Sequence, residues 1–291
     1  MRVLVTGSAG RVGRAIHARL CLEHDVLGLD QTPSPRTDLV GDITDSAFMR
    51  DALRGVDAVV HAAALHAPHV GTVHDDVFER VNVQSTRALA DLAVDAGVGQ
   101  LVFTSTTALY GSTPTLTHAA SWINETVEPQ PRTIYHRTKL AAEALLEALA
   151  RRGELAVTVL RMSRCFPEPA PLMTAYRIHR GVDARDVADA HALALHTTQP
   201  GFRRFVISGA TPFEAEDVHE LVLDAPAVLA RRAPALVEAF ARRGWALPIS
   251  IDRVYSPALA LRELGWQARY GFDEVLRMLD AGSAEVLAAA P

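Results

Sequence analysis

Lysine is almost missing from this 291-residue chain: of its 29 cationic side chains 28 are arginine, and Lys139 alone is lysine. A bias toward Arg and Ala is the simple cause. A lysine that survives such a bias also marks a place where a compact ammonium with three rotatable donors serves better than a planar guanidinium. On composition alone, chance survival and need weigh equally. Cysteine is scarce as well, and Cys21 and Cys165 are too few for a disulfide framework, which points to a reducing cytoplasm. No window approaches the run of about 18 apolar residues that a membrane helix needs, and no signal-peptide pattern opens the chain. There is no excess of positive charge. The net charge of −5 leaves no reason to expect nucleic acid as a partner. What remains is 49% apolar and 22% charged, the balance of a globular protein. The length suits one α/β domain or two closely joined lobes.

Short β-branched runs at Arg2–Val5, Val26–Leu29, Ala58–His61, Gln100–Ser105, Leu155–Leu160 and Arg204–Ile207 read as buried strands. Helical patterns separate them, the longest at Phe78–Ala96 and Thr133–Arg152. Strands alternating with helices predict a doubly wound α/β fold on a parallel sheet with right-handed crossovers. Ligands of such a fold lie at the carboxyl ends of the strands. From Thr211 the chain reads as mostly helical, with breaks at Pro226, Pro234, Pro248 and Pro257.

Directly after the first strand stand Gly7, Gly10 and Gly13, in the spacing G-x-x-G-x-x-G, and a helical pattern follows. Glycines there permit a tight turn, close backbone approach to a pyrophosphate, and close packing of helix on strand. Asp30 ends the second strand, 17 residues after Gly13. A carboxylate at that place accepts hydrogen bonds from ribose hydroxyls and repels a 2′-phosphate, which favours NAD over NADP, although Arg36 on the next loop softens the preference. Asp42 and Ile43 follow a short extended piece, Leu39–Val40, where an adenine would lie. Asp42 equally suits an Asx turn after Gly41. The expected layout is a Rossmann domain over residues 1–164 and a smaller, mostly helical substrate lobe over 165–291, with roughly 181–210 returning to the Rossmann core.

Tyr135 and Lys139 are spaced i, i+4 on a helix and share a face. A phenol is a poor base at its ordinary pKa of about 10, and a neighbouring ammonium lowers that value. Thr106, in the Ser/Thr cluster that ends a sheet strand, can polarise the same substrate oxygen.

Together, Thr6–Gly13, Asp30, Asp42-Ile43, His61–Ala64, Asn82, Thr104–Gly111, Tyr135–Lys139 and Arg185–His191 resemble the extended short-chain dehydrogenase/reductase family, which includes NAD-dependent sugar epimerases and dehydratases. The likeness runs over nearly the whole chain, to Leu264-Gly265-Trp266. It implies cofactor contacts from Gly7, Gly10, Arg11, Val12, Gly13, Asp30, Asp42 and Ile43. It adds Ala62, Ala63 and Ala64 in a small-residue turn, Thr104, Tyr135 and Lys139. His66 falls near a cofactor-contacting lysine of some epimerases, and Asn82 resembles the asparagine of the central helix; a purely backbone-satisfying role suits Asn82 as well. Thr106, Tyr135 and Lys139 are the implied catalytic set, with Thr106 in place of the usual serine. A substrate hydroxyl gives its proton to Tyr135 while hydride passes from the same carbon to NAD. A homodimer built on the two long helices is also implied.

The chain departs from the family after the strand Leu155–Leu160, where Arg161-Met162-Ser163-Arg164-Cys165-Phe166-Pro167-Glu168-Pro169 places Arg164 where asparagine is expected. Arg185 follows only 21 positions after Arg164, little room for a cap over a sugar nucleotide. The stretch is similar to uronate dehydrogenases, in which an arginine there holds the substrate carboxylate. Arg164, with Arg161 second, is the candidate for that contact, and a structural ion pair is the alternative. Thr106 and Thr107 complete the expected substrate contacts. His61, His66, His69 and His74 crowd one loop without a Cys or paired carboxylate, so no metal is expected. Three readings follow: an NAD-dependent oxidoreductase of a small sugar or sugar acid, a sugar-nucleotide epimerase or dehydratase that recycles bound NAD, or a non-catalytic NAD-binding regulator.

Overall fold

A computed structural model describes residues 1–111, 118–196 and 201–289. The chain forms β1 (Arg2–Thr6), α1 (Arg11–Leu20), β2 (Asp25–Asp30), β3 (Leu39–Val40), α2 (Ser46–Ala52) and β4 (Ala58–His61). There follow α3 (Asp75–Phe78), α4 (Ser85–Asp95), β5 (Gln100–Thr106), β6 (Ser121–Ile123), α5 (Ile134–Arg151) and β7 (Ala156–Met162). The remainder comprises α6 (Ala170–Tyr176), α7 (Ala184–Leu195), β8 (Phe202–Ile207), α8 (Val218–Leu223), α9 (Ala225–Arg232), α10 (Pro234–Arg243), β9 (Arg253–Tyr255), α11 (Ala258–Leu264) and α12 (Phe272–Asp280).

Seven strands make one sheet in the order β3-β2-β1-β4-β5-β7-β8. β1 lies parallel to β2 and to β4, with Val3 opposite Val26 on one side and Ala58 on the other. β4 continues parallel onto β5. This is the expected doubly wound α/β fold, because short apolar strands buried on both faces need helices on both faces. Leu4, Val59, Leu101, Phe103, Val157 and Val159 pack against Met49 of α2, Leu89 and Ala93 of α4, and Ala142, Leu146 and Leu149 of α5. Thr104 points to the opposite face, as strand alternation requires, and there its hydroxyl meets His191 Nε2 of α7 at 2.8 Å.

The chain divides into two compact units. The first comprises Met1–Gly111, Gln130–Arg161 and Val187–Phe205; the second comprises Ser112–Pro129, Met162–Asp186 and Val206–Pro291. The second unit has its own core, including Phe213, Leu221, Val228, Leu229, Leu236 and Phe240. Two features of it escaped the sequence reading. Pro226 and Pro234 sit in the first turns of α9 and α10, where proline is tolerated because that N–H has no helical partner; they start helices as well as breaking them. β6 and β9 also pair, with Trp122 opposite Val254.

The segment read as one helix over Phe78–Ala96 is wider in its middle. Glu79–Gln84 forms a π-turn between α3 and α4. Ser85 donates to the Val81 carbonyl, and Thr86 donates to that of Asn82 at 2.8 Å. Such side-chain bonds to the preceding turn accompany departures from regular helix, and π-turns recur at functional sites. No helix among the described residues is long and apolar enough to cross a membrane.

Candidate active site

The glycine turn is built by close approach. Gly7 has φ +78°, and a Cβ there would lie 2.7 Å from the Ala63 nitrogen. A Cβ on Gly13 would lie 1.9 Å from the Gly7 carbonyl oxygen, so α1 packs on the turn only through hydrogen. The Gly7 N–H donates to the Leu29 carbonyl at 2.8 Å, and Ala9 N–H donates to Asp30 Oδ2 at 3.0 Å. No side chain caps the start of α1, and no acid lies in its first turn. Uncapped helical N–H groups behind a glycine turn are an anion site. With Asp30 tied to the same turn, these residues fit a dinucleotide pyrophosphate and its ribose.

Beside this turn, Ala63 donates its N–H to the Thr6 hydroxyl at 3.3 Å. Thr6 also meets His61 Nδ1 at 2.7 Å, and His61 Nε2 meets the Thr86 hydroxyl at 2.9 Å. His61 is 1% exposed, and burial, with Lys139 nearby, holds its pKa near 3. It is therefore a neutral bridge between β1 and α4. Asn82 continues the chain of bonds. Its carbonyl oxygen accepts from Leu65 N–H at 2.8 Å, and its amide donates to the Leu65 carbonyl and to the Thr138 hydroxyl. Asn82 thus ties the loop after β4 to α5, the backbone-satisfying role that also suited it.

Thr133 caps α5 by accepting from His136 N–H, and Tyr135 and Lys139 follow on the first turns. Tyr135 is part-buried. The surrounding protein pushes its phenol up to about 12, and a hydrogen bond with the Thr106 hydroxyl pulls the other way. Lys139 is 3% exposed, with Nζ 3.8 Å above the centre of the Phe103 ring. Burial lowers its amine to about 7, opposed by the negative charge of Glu143. A hydrogen bond joins Thr106 to Tyr135, Lys139 stands one turn on along the same helix, and the set can exchange a proton with a hydroxyl or carbonyl held against Tyr135.

Other expected residues stand elsewhere. Arg161 is corrected from substrate ligand to buried structure. It is 1% exposed, binds Glu143 through Nε at 3.0 and 3.1 Å and through Nη2 at 2.5 Å, and donates to the Tyr110 hydroxyl. Thr104 meets His191 of α7 through its hydroxyl on the other face of the sheet. Ile43 is 6% exposed and packs in the core around the sheet. Asp42 accepts from Thr44 N–H at 2.8 Å, an Asx turn. Burial raises its pKa, and the Thr44 hydrogen bonds more than offset that. Thr107 is buried in the short helical turn after β5. The His66 N–H donates to His69 Nδ1 at 3.0 Å. Arg11 and Val12 begin α1, part-exposed, as are Ala62 and Ala64 after β4. In the second unit, Arg164 pairs with Glu168 and keeps half its side chain exposed. Among the described residues, the grouping fit for a metal is Glu23, His24 and His196, not the histidines after β4. Sequence reasoning missed Glu143. Its signal was the spacing, one further turn after Lys139.

Known proteins resemble this chain. The profile of the NAD dependent epimerase/dehydratase family matches residues 3–171. An L-arabinose 1-dehydrogenase (NAD(P)(+)) of Haloferax volcanii is 29% identical over 218 residues, covering 70% of this chain and 82% of that one. A UDP-glucose 4-epimerase of Corynebacterium glutamicum is 26% identical over 91% of this chain and 90% of its own. A short-chain dehydrogenase/reductase superfamily protein of Agrobacterium tumefaciens, solved with bound NAD, superposes with a TM-score of 0.73 at 23% identity, over 97% of this chain and 96% of that one.

Proposed function

From the premise that this chain belongs to the NAD dependent epimerase/dehydratase family, we propose that it is an NAD-dependent oxidoreductase of a hydroxyl-bearing carbon in a small sugar or sugar acid. The observation that carries this reading is the gathering of Thr106, Tyr135 and Lys139 at the carboxyl end of β5, where a doubly wound sheet binds its ligands. NAD, when bound, supplies the hydride acceptor. Gly7, Gly10, Gly13 and the start of α1 hold its pyrophosphate, and Asp30 its ribose. Tyr135 takes the substrate hydroxyl proton, Thr106 hydrogen-bonds the same oxygen, and the Lys139 ammonium favours the phenolate. The arabinose dehydrogenase relative supports a small sugar as substrate. Arg164, on the second unit with half its side chain exposed, is the residue we assign to a substrate carboxylate, and that unit is the substrate lobe.

The second reading is epimerisation or dehydration with retained NAD, favoured by the epimerase relative that aligns over 91% of this chain. Incubation of the pure protein with NAD⁺ and a panel of aldoses, uronic acids and sugar nucleotides separates the two. Net NADH means a dehydrogenase, and a rearranged sugar without net NADH means an epimerase or dehydratase. NAD binding with neither overturns both in favour of a regulator. We further propose a cytoplasmic homodimer packed through α4 and α5; a monomeric mass by light scattering overturns the dimer.

A further inference from the structure

The stripe that carries Tyr135 and Lys139 does not end there. Glu143 follows one turn later on α5, and side chains at this spacing lie one above another. Glu143 is 0% exposed. Its carboxylate accepts from the Ser105 hydroxyl at 2.5 Å and from Arg161 through Nε and Nη2, and Arg204 Nε lies 3.2 Å away. Hydroxyl and guanidinium donors thus fix this buried carboxylate in place.

Lys139 is buried yet makes no direct ion pair among the described residues; its Nζ rests on the Phe103 face. The groups around it are few. On α5 they are the Tyr135 phenol and Glu143. From β4 comes His61, held neutral between Thr6 and Thr86. β5 presents the uncharged Phe103 ring beneath the ammonium, and Asn82 of the π-turn and Thr86 of α4, which are bound to Thr138 and His61, carry no charge. Behind Glu143 stand two cations, Arg161 of β7 and Arg204 of β8.

We propose that Glu143 is a positioning residue of the site, which keeps Lys139 an ammonium from one helical turn away while Ser105, Arg161 and Arg204 hold the carboxylate in place. This rests on the reading that Tyr135 and Lys139 act on the substrate. The distance has a use. A carboxylate in direct contact would occupy the ammonium's donors and draw it away from Tyr135. One turn removed, it supplies the counter-charge and leaves the donors free. Burial pushes the Lys139 amine down to about 7, and Glu143 is the charge opposing that fall. A neutral amine brings no positive charge to stabilise a phenolate.

The lone lysine makes the test direct. Protein labelled with ¹³Cε-lysine gives one lysine resonance, whose shift with pH reports the charge of Lys139. In Glu143→Gln the midpoint falls by about one pH unit, a tenfold loss of proton affinity. In Glu143→Asp, which keeps the charge, it falls by less. In Arg204→Gln, which removes a cation from behind the carboxylate, it rises. Loosened packing admits water, relieves burial and moves the midpoint upward, so a downward shift in Glu143→Gln is not a packing effect. An unchanged or raised midpoint in folded Glu143→Gln overturns the proposal. Should that variant not fold, an unmoved midpoint in Arg204→Gln of unaltered melting temperature overturns it. The titration needs no substrate. A Tyr135→Phe variant of undiminished turnover would therefore end the catalytic reading separately.

Discussion

Arg161→Leu separates a buried structural cation from a substrate ligand. Arg161 is 1% exposed and its partner Glu143 is 0% exposed. Removing one partner of such a pair leaves a buried charge without its main counter-charge, a loss of about 3–5 kcal/mol. Arg204, 3.2 Å from the same carboxylate, and the Ser105 hydroxyl remain, which places the loss near the low end, at about 3 kcal/mol. At about 2–4 °C per kcal/mol for domains of 150–250 residues, the melting temperature falls by roughly 6–12 °C. Scanning calorimetry reads the fall directly. At a temperature where the variant is folded, KM for a carboxylate-bearing sugar stays within about threefold of wild type, under half the energy of a tenfold change, because Arg161 does not face the substrate. A melting temperature within about 2 °C of wild type, together with a KM raised more than tenfold, would refute the reasoning and return Arg161 to the substrate.

Three further outcomes follow from the same geometry. Tyr135→Phe loses at least about a hundredfold in turnover, as lost acid–base catalysis requires, and Lys139→Arg also loses most of its turnover because a guanidinium keeps the charge but changes its shape and reach; near-wild-type rates in either count against the site. Gly13→Ala places a Cβ 1.9 Å from the Gly7 oxygen and weakens NAD binding measured by calorimetric titration; unchanged affinity would show that α1 does not need to pack so closely. Acid destabilises the fold through buried histidines: His61 and His179 are held near pKa 3 and His191 near 4 by burial. The unfolded chain binds these protons at about 6.5, so the stabilisation is complete above that pH and is lost as pH falls toward 4. Each histidine contributes up to about 1.4 kcal/mol per pH unit in that window. A melting temperature flat between pH 6.5 and 4.5 would contradict the buried, neutral state of these rings.

Much of the candidate site was legible because its parts are local in sequence. The glycine turn needs only the seven positions Gly7–Gly13, and Tyr135 meets the face of Lys139 by helical period alone. Asp30 and Thr106 were legible as strand ends, since a doubly wound sheet puts its ligands there. Arg161 was misjudged because its partner is not local. Glu143, itself held by Ser105, reaches it only where β7 lies beside β5 with α5 packed across them. Asn82 read as a helix residue, whereas the π-turn and the Leu65 loop decide what its amide does. The pairing of β6 with β9 joins residues more than a hundred positions apart, and neither segment is long or periodic enough to announce itself.

By itself, then, the sequence determined the alternation of strand and helix, the glycine turn and the phenol–ammonium pair, all consequences of backbone sterics and short-range periodicity. The tertiary structure alone decided which buried charges face one another. An arginine is a substrate ligand or a core ion pair according to the desolvation and the partners it finds, and those are set by strand order. The lone lysine shows the division well. Its place beside Tyr135 follows from counting residues along a helix, but its charge depends on a carboxylate that Ser105, Arg161 and Arg204 hold from other strands.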